Sequence, residues 1–248
     1  MIYTKEMDLS PENTSLPEVQ RALQGMALTR AEIDEVTADP EHDVATFLSL
    51  FEADFKSLLD ADAGVWEEYT LRRHTAMVLG QYHKYFRGKP LPHLDHPFFE
   101  TVLALHDIGK PLAIAAGDKR MQHEYTVPMM GIILAQLDFP QNQIDIALAV
   151  VHGDTIGHYL KDGEPDMKKY VTELEERATH AGLSVEDFLT LTAIFFQIDA
   201  GSYTEDAGGL KSLDALFSFH PDEGRMTFSP RIEEKMQKLR DAIATVTH

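Results

Sequence analysis

Val102-Leu103-Ala104-Leu105-His106-Asp107-Ile108-Gly109-Lys110-Pro111 is the stretch on which the fold and the chemistry of this chain turn. Val102 and Leu103 precede His106 by four and three positions, the spacing of one helical face, and Gly109 and Pro111 predict that the helix ends there. An adjacent histidine and aspartate offer a metal ion one nitrogen and one oxygen ligand from a single turn of backbone. That pair is useful only where other histidines and acids converge on it. Candidates stand on both sides: His74 upstream, and His123, His152 and Asp199 downstream.

Most of these candidates continue an apolar helical face. His74 follows Leu71 by three and precedes Val78 by four, with Tyr82 and Tyr85 extending the series. His152 continues Ile144, Leu148 and Val151, and Asp199 continues Leu191 and Phe195. A carboxylate on a buried face is costly unless it is paired or bound to metal. Taken singly, each has a plainer reading, because a lone histidine on an apolar face is more often a hydrogen-bonded core residue. Taken together and in order, they point to a metal centre. His83, His93, His96, His158 and His220 have no motif support and read as surface or loop residues.

Outward from this core the chain reads as helical throughout. Ser10-Pro11 and Asp39-Pro40 each place an N-cap residue before a proline, Ser184 with Asp187 forms a capping-box pattern, and Ser229-Pro230 opens another helix. Val44, Phe47, Leu48, Phe51, Phe55 and Leu58 repeat at three and four residues, as do Ile232, Met236, Leu239 and Ile243. Period-two alternation of any length is absent. The stretches 88–97, 117–120, 161–166 and 205–228 read as loops, the last with Gly208-Gly209, His220-Pro221 and Gly224. The expectation is an all-α domain with no linker that would split it.

Composition sets further bounds. The 248 residues are 44% hydrophobic and 25% charged, as in a globular protein. No apolar run nears the roughly 20 residues that span a bilayer, and the first residues do not form a signal peptide, so a cytoplasmic protein is expected by default. The absence of cysteine excludes disulfides, thiolate metal sites and cysteine nucleophiles. A formal charge of −19 disfavours long nucleic acid and anionic membranes as partners. A small phosphate-containing anion is not excluded, because bound metal and a few local cations reverse the sign inside one pocket.

The order His74, His106-Asp107, His123, His152, Asp199 resembles the HD superfamily of metal-dependent phosphohydrolases, in its dinuclear variety, over roughly residues 65 to 205. The resemblance implies an HD-domain helical bundle at 61–215. Residues 1–60 then form an N-terminal helical extension that covers the core or makes a homodimer contact, and 216–248 a C-terminal loop and helix. It implies that His74, His106, Asp107 and Asp199 bind one ion and that His123 and His152 bring a second, with Asp107 bridging. Many dinuclear relatives carry two adjacent histidines near the later position; here Gly153 follows His152, which leaves the second site fewer ligands or makes room for Asp154. The donors are all nitrogen or oxygen, so Mn, Fe, Co, Ni, Zn and Mg are all accepted, and a bridged pair favours iron or manganese.

The resemblance implies hydrolysis of a small phosphate ester or nucleotide by a metal-bound hydroxide, with no protein nucleophile. Asp107 and Lys110 would be the catalytic residues. Lys110, Arg73, Lys119 and Arg120 are candidate phosphate contacts, and Ser202 and Tyr203, just past Asp199, are candidate hydrogen-bond donors to substrate. Two other readings share the ligand order. One is a mixed-valence di-iron oxygenase resembling inositol oxygenase; the other is a non-catalytic metal-binding sensor or interaction domain.

Overall fold

The computed structural model describes residues 25–64, 69–203 and 213–246. Ser10-Pro11 and Gly208-Gly209 lie outside the described residues. The fold is all-α, with one two-stranded sheet among the described residues. The chain divides into two compact units. The first holds the described residues up to Ala76 together with Pro97–Ile144; the second holds Met77–His96 and the described residues from Asp145 onward.

In the first unit, α1 (Arg30–Thr37) opens with a capping box, Thr29 accepting from the Glu32 amide and Glu32 from the Thr29 amide. Asp39-Pro40 does not start a helix. The Asp39 carboxylate accepts from the Glu41 amide two residues on, closing a turn, and Asp43 takes over the capping by accepting from the Thr46 amide at 2.7 Å. The predicted face from Val44 to Leu58 is present, but two helices carry it, α2 (Val44–Ser49) and α3 (Glu52–Leu59). The Leu50 and Phe51 amides bond three residues back, which tightens the chain between them. Phe47, Phe51, Phe55 and Leu58 are all buried, each worth about 1.5–3 kcal/mol of apolar burial.

Next come α4 (Leu71–Tyr85), α5 (His96–Leu105), α6 (Lys110–Ala115), α7 (Gln122–Gln136) and α8 (Gln141–Val151). From Phe98 to Leu105 every residue of α5 is buried, as expected of a helix apolar on all sides. It ends at Leu105, short of the Gly109 expected to close it, so His106 lies in the turn beyond and not on the helix. Pro111 does not act as its terminator: it lies in the first turn of α6, where a proline's missing N–H costs nothing.

In the second unit, Asp154, Asp166 and Ser184 cap α9 (Thr155–Lys161), α10 (Met167–His180) and α11 (Val185–Gly201). Part of the predicted loop 205–228 is an antiparallel hairpin, β1 (Phe217–His220) with β2 (Arg225–Phe228), in the register Phe217↔Phe228 to His220↔Arg225. Gly224 at φ 56° supplies its left-handed turn. Strands of four residues are too short for alternation to register as a period, and the Phe217–Phe228 stack, with Phe196 against both rings, is what holds them. Helix α12 (Pro230–Val246) buries Ile232, Met236, Leu239 and Ile243 as predicted. Its Lys235 ammonium caps the end of α9 through the Leu160 and Asp162 carbonyls. No single helix among the described residues is long and apolar enough to cross a membrane.

Candidate metal centre

His74 enters the first unit on the opening turn of α4. Leu71 donates its amide to the Ala61 carbonyl, Ala63 donates to Tyr69, and the Thr70 hydroxyl accepts from the Arg73 amide, so the start of the helix is tied down on both sides. His106 and Asp107 occupy the turn between α5 and α6, closed by Ile108 N–H to Leu105 and Lys110 N–H to Asp107. Gly109 lets α7 come close: a Cβ there would lie 2.3 Å from the Thr126 nitrogen and 2.5 Å from the Tyr125 carbonyl carbon. The Gly109 amide donates to the Thr126 hydroxyl at 3.1 Å, fixing that contact.

His106, Asp107 and His74 are buried and converge. The His106 Nδ1 lies 2.6 Å from the Leu103 carbonyl, which can only accept, so Nδ1 carries the proton and the Nε2 lone pair faces inward. The facing atoms are 3.3 Å (His106 Nε2 to His74 Nε2), 3.4 Å (His74 Nε2 to Asp107 Oδ2) and 3.7 Å (His106 Nε2 to Asp107 Oδ2) apart. A point equidistant from all three in their plane is about 2.0 Å from each, against roughly 2.0–2.2 Å for bonds from zinc to imidazole nitrogen and carboxylate oxygen. Two nitrogens and one oxygen in this triangle have the size and chemistry to hold a divalent ion.

Lys110 is buried beside them, its ammonium 2.6 Å from Asp107 Oδ2. Burial by itself would raise the Asp107 carboxyl, but the Lys110 charge and the two imidazoles outweigh it and hold the group well below the ordinary carboxylate range. Asp107 is therefore a carboxylate at neutral pH, as a ligand must be.

The other expected residues stand each within its own unit. His123 is half-buried near the start of α7, two residues before the Tyr125–Thr126 backbone that meets Gly109. It is not one of the residues whose ligand atoms fall within 4.8 Å of one another in the cluster. His152 and Asp199 belong to the second unit. The extrapolated face does not reach His152: α8 ends at Val151, and the histidine is exposed in the turn beyond. Asp199 is half-buried near the end of α11. Burial raises the carboxyl of Asp154 against the Gly157 amide and the charges of Lys161 and His158, and the Asp199 charge adds a little to the rise. The Ser202 hydroxyl donates to the Asp199 carbonyl at 2.7 Å as part of the helix end, and Tyr203 follows it half-buried.

The expected phosphate contacts are engaged within the fold. Arg73 is exposed with its guanidinium 4.3 Å from the centre of the Tyr69 ring, Lys119 donates to the Gly64 carbonyl, and Arg120 pairs with Asp118.

One feature was missed. Glu100 is buried on α5, 2.9 Å from His42 Nε2, and His42 Nδ1 lies 2.7 Å from the Asp39 carbonyl. The signal was available: an acid inside the apolar run from Phe98 to Leu105 demands a partner. His96 also departs from the surface reading, since it is half-buried with Nδ1 2.6 Å from the Tyr82 hydroxyl. His93 and His158 are exposed as expected.

No protein-family model, curated protein or solved structure matches the chain.

Proposed function

We propose that the chain is a metal-dependent phosphohydrolase of the HD superfamily, acting on a small phosphate ester or nucleotide. The observation that carries this reading is the triangle of His74, His106 and Asp107, with Lys110 against the carboxylate. In this reading His74, His106 and Asp107 hold the ion. A bound divalent ion supplies Lewis acidity and lowers the pKa of water to near neutrality. The chain's own residues do the rest. The Leu103 carbonyl fixes the His106 tautomer, burial keeps bulk water from the ligands, and the Lys110 ammonium offsets phosphoryl charge as it builds up. Nucleophilic serine or cysteine chemistry has no part in it, consistent with a chain that lacks cysteine.

The test is metal content of the purified protein, followed by a phosphomonoester and phosphodiester panel with manganese or magnesium under nitrogen and under air. Phosphate release without oxygen supports the proposal, and Asp107→Ala should abolish both metal loading and turnover. Iron-dependent oxygen consumption would replace it with the oxygenase reading. A metal-loaded protein inert on every substrate, folding equally well without metal, would point to a sensor or interaction domain.

A further inference from the structure

We infer that Lys110 is a built-in counter-cation that competes with the metal ion for Asp107 and so sets how tightly the centre holds it. The inference rests on the metal reading of the triangle. Its basis is that one oxygen serves both purposes: Asp107 Oδ2 lies 2.6 Å from the Lys110 ammonium and 3.4 and 3.7 Å from the two imidazole nitrogens. Lys110 is the first residue of α6, three residues beyond Asp107, and both side chains are buried, so the ammonium sits close to the carboxylate by construction. An ion bonded to Oδ2 at roughly 2.0–2.2 Å is at most about 4.8 Å from the ammonium, because that separation cannot exceed the sum of the ion–oxygen and oxygen–ammonium distances. Like charges that close, away from water, repel strongly.

Without metal, the same lysine is what makes a buried carboxylate tolerable. Lys110 therefore acts in opposite directions on the two states: it stabilises the metal-free cluster and weakens the metal-bound one. A site built this way releases its ion more readily than its ligand set alone would suggest. Metal loading is also favoured by any anion that sits between the ammonium and the ion.

The experiment is Mn²⁺ titration by calorimetry, with thermal melting of the metal-free and metal-saturated forms, on the full chain. It compares wild type, Lys110→Met, Lys110→Gln and His74→Ala. Lys110→Met should bind Mn²⁺ at least about tenfold more tightly than wild type. It should melt lower without metal and gain more on saturation than wild type does. Lys110→Gln, which keeps a polar head group, should move the same way if Met disturbs packing. His74→Ala should lose the ion. If neither lysine variant binds more tightly while His74→Ala does lose the ion, the inference is overturned and the centre stands. If His74→Ala binds as wild type does, the centre itself is misassigned and the inference falls with it.

Discussion

Gly109→Ala and Gly80→Ala are the same chemical change with opposite expected signs, and the difference comes entirely from what surrounds each glycine. Gly80 lies inside α4, and a Cβ there meets nothing within 4 Å. Alanine should stabilise that helix by about 0.8–1.0 kcal/mol through propensity alone. At Gly109 the backbone is helical, with φ −87° and ψ −8°, so alanine can adopt it, and restriction of the unfolded chain favours it by about 0.4–1 kcal/mol. Against that stands a clash with backbone at 2.3 and 2.5 Å, where carbon contacts relax only near 3.5–4.0 Å. Helix α7 must retreat by more than about 1 Å. Overpacking of this kind costs about 1–3 kcal/mol, and stretching the Gly109 to Thr126 hydrogen bond about 1 kcal/mol more. The net is a destabilisation of about 1–3 kcal/mol, read as a fall in melting temperature of about 2–12 °C for a chain of this length. Metal affinity should fall with it, because the retreat opens the turn that carries His106 and Asp107. If both variants shift the melting temperature upward, the argument that α7 needs a bare backbone at Gly109 is wrong.

Other outcomes follow from single contacts. Glu100→Ala removes the acceptor on His42 Nε2 inside the core and should cost about 3–5 kcal/mol in urea unfolding; a loss below 1 kcal/mol would mean the pair carries no weight. His152→Ala, at an exposed position, should leave stability within about 0.5 kcal/mol of wild type; its metal stoichiometry, read beside this, decides whether His152 is a ligand. Hydrogen bonds from the Arg120 side chain and amide lower the Asp118 carboxyl from an ordinary 3.8 to about 2. A depressed folded value means its stabilising charge is fully present above the ordinary value and disappears as pH falls through about 2. Carbon-detected NMR titration should show that midpoint in wild type and a higher one, still below 3.8, in Arg120→Ala, which loses the side-chain bonds but keeps the amide bond.

What could be read from the sequence was whatever depends on neighbours along the chain. The face of α12 and the Ser184 cap each follow from residues within one or two turns. What could not be read depended on competition between equally good local signals. Asp39-Pro40 and Asp43 both offer a helix start, and the Asp39 bond to the Glu41 amide decides for the second. Pro111 looks the same whether it ends one helix or begins the next. At His152 the pattern was extended one residue past the end of α8, and one residue is enough to turn a side chain from core to solvent. The hairpin after Phe217 escaped because ring stacking between two short strands has no period to detect.

The same distinction explains why half of the candidate centre was easier to read than the other half. Leu103, His106, Asp107, Gly109 and Lys110 span eight positions and act on one another directly: a carbonyl sets the imidazole tautomer, a missing Cβ admits α7, and an ammonium one turn on holds the carboxylate. Chain connectivity arranges that half, whatever binds there. His74 reaches it from 32 positions away, and it does so because Leu71 and Tyr69 anchor the opening of α4 to residues 61–63. Changes at that anchor should therefore loosen metal binding more than they disturb the His106-Asp107 turn. Changes at Gly109 should disturb both. A variant such as Thr70→Ala, which removes the hydroxyl that caps Arg73, should weaken Mn²⁺ binding while leaving the contact between Gly109 and α7 in place. If instead it leaves Mn²⁺ affinity untouched, His74 is not held in place by the start of its helix.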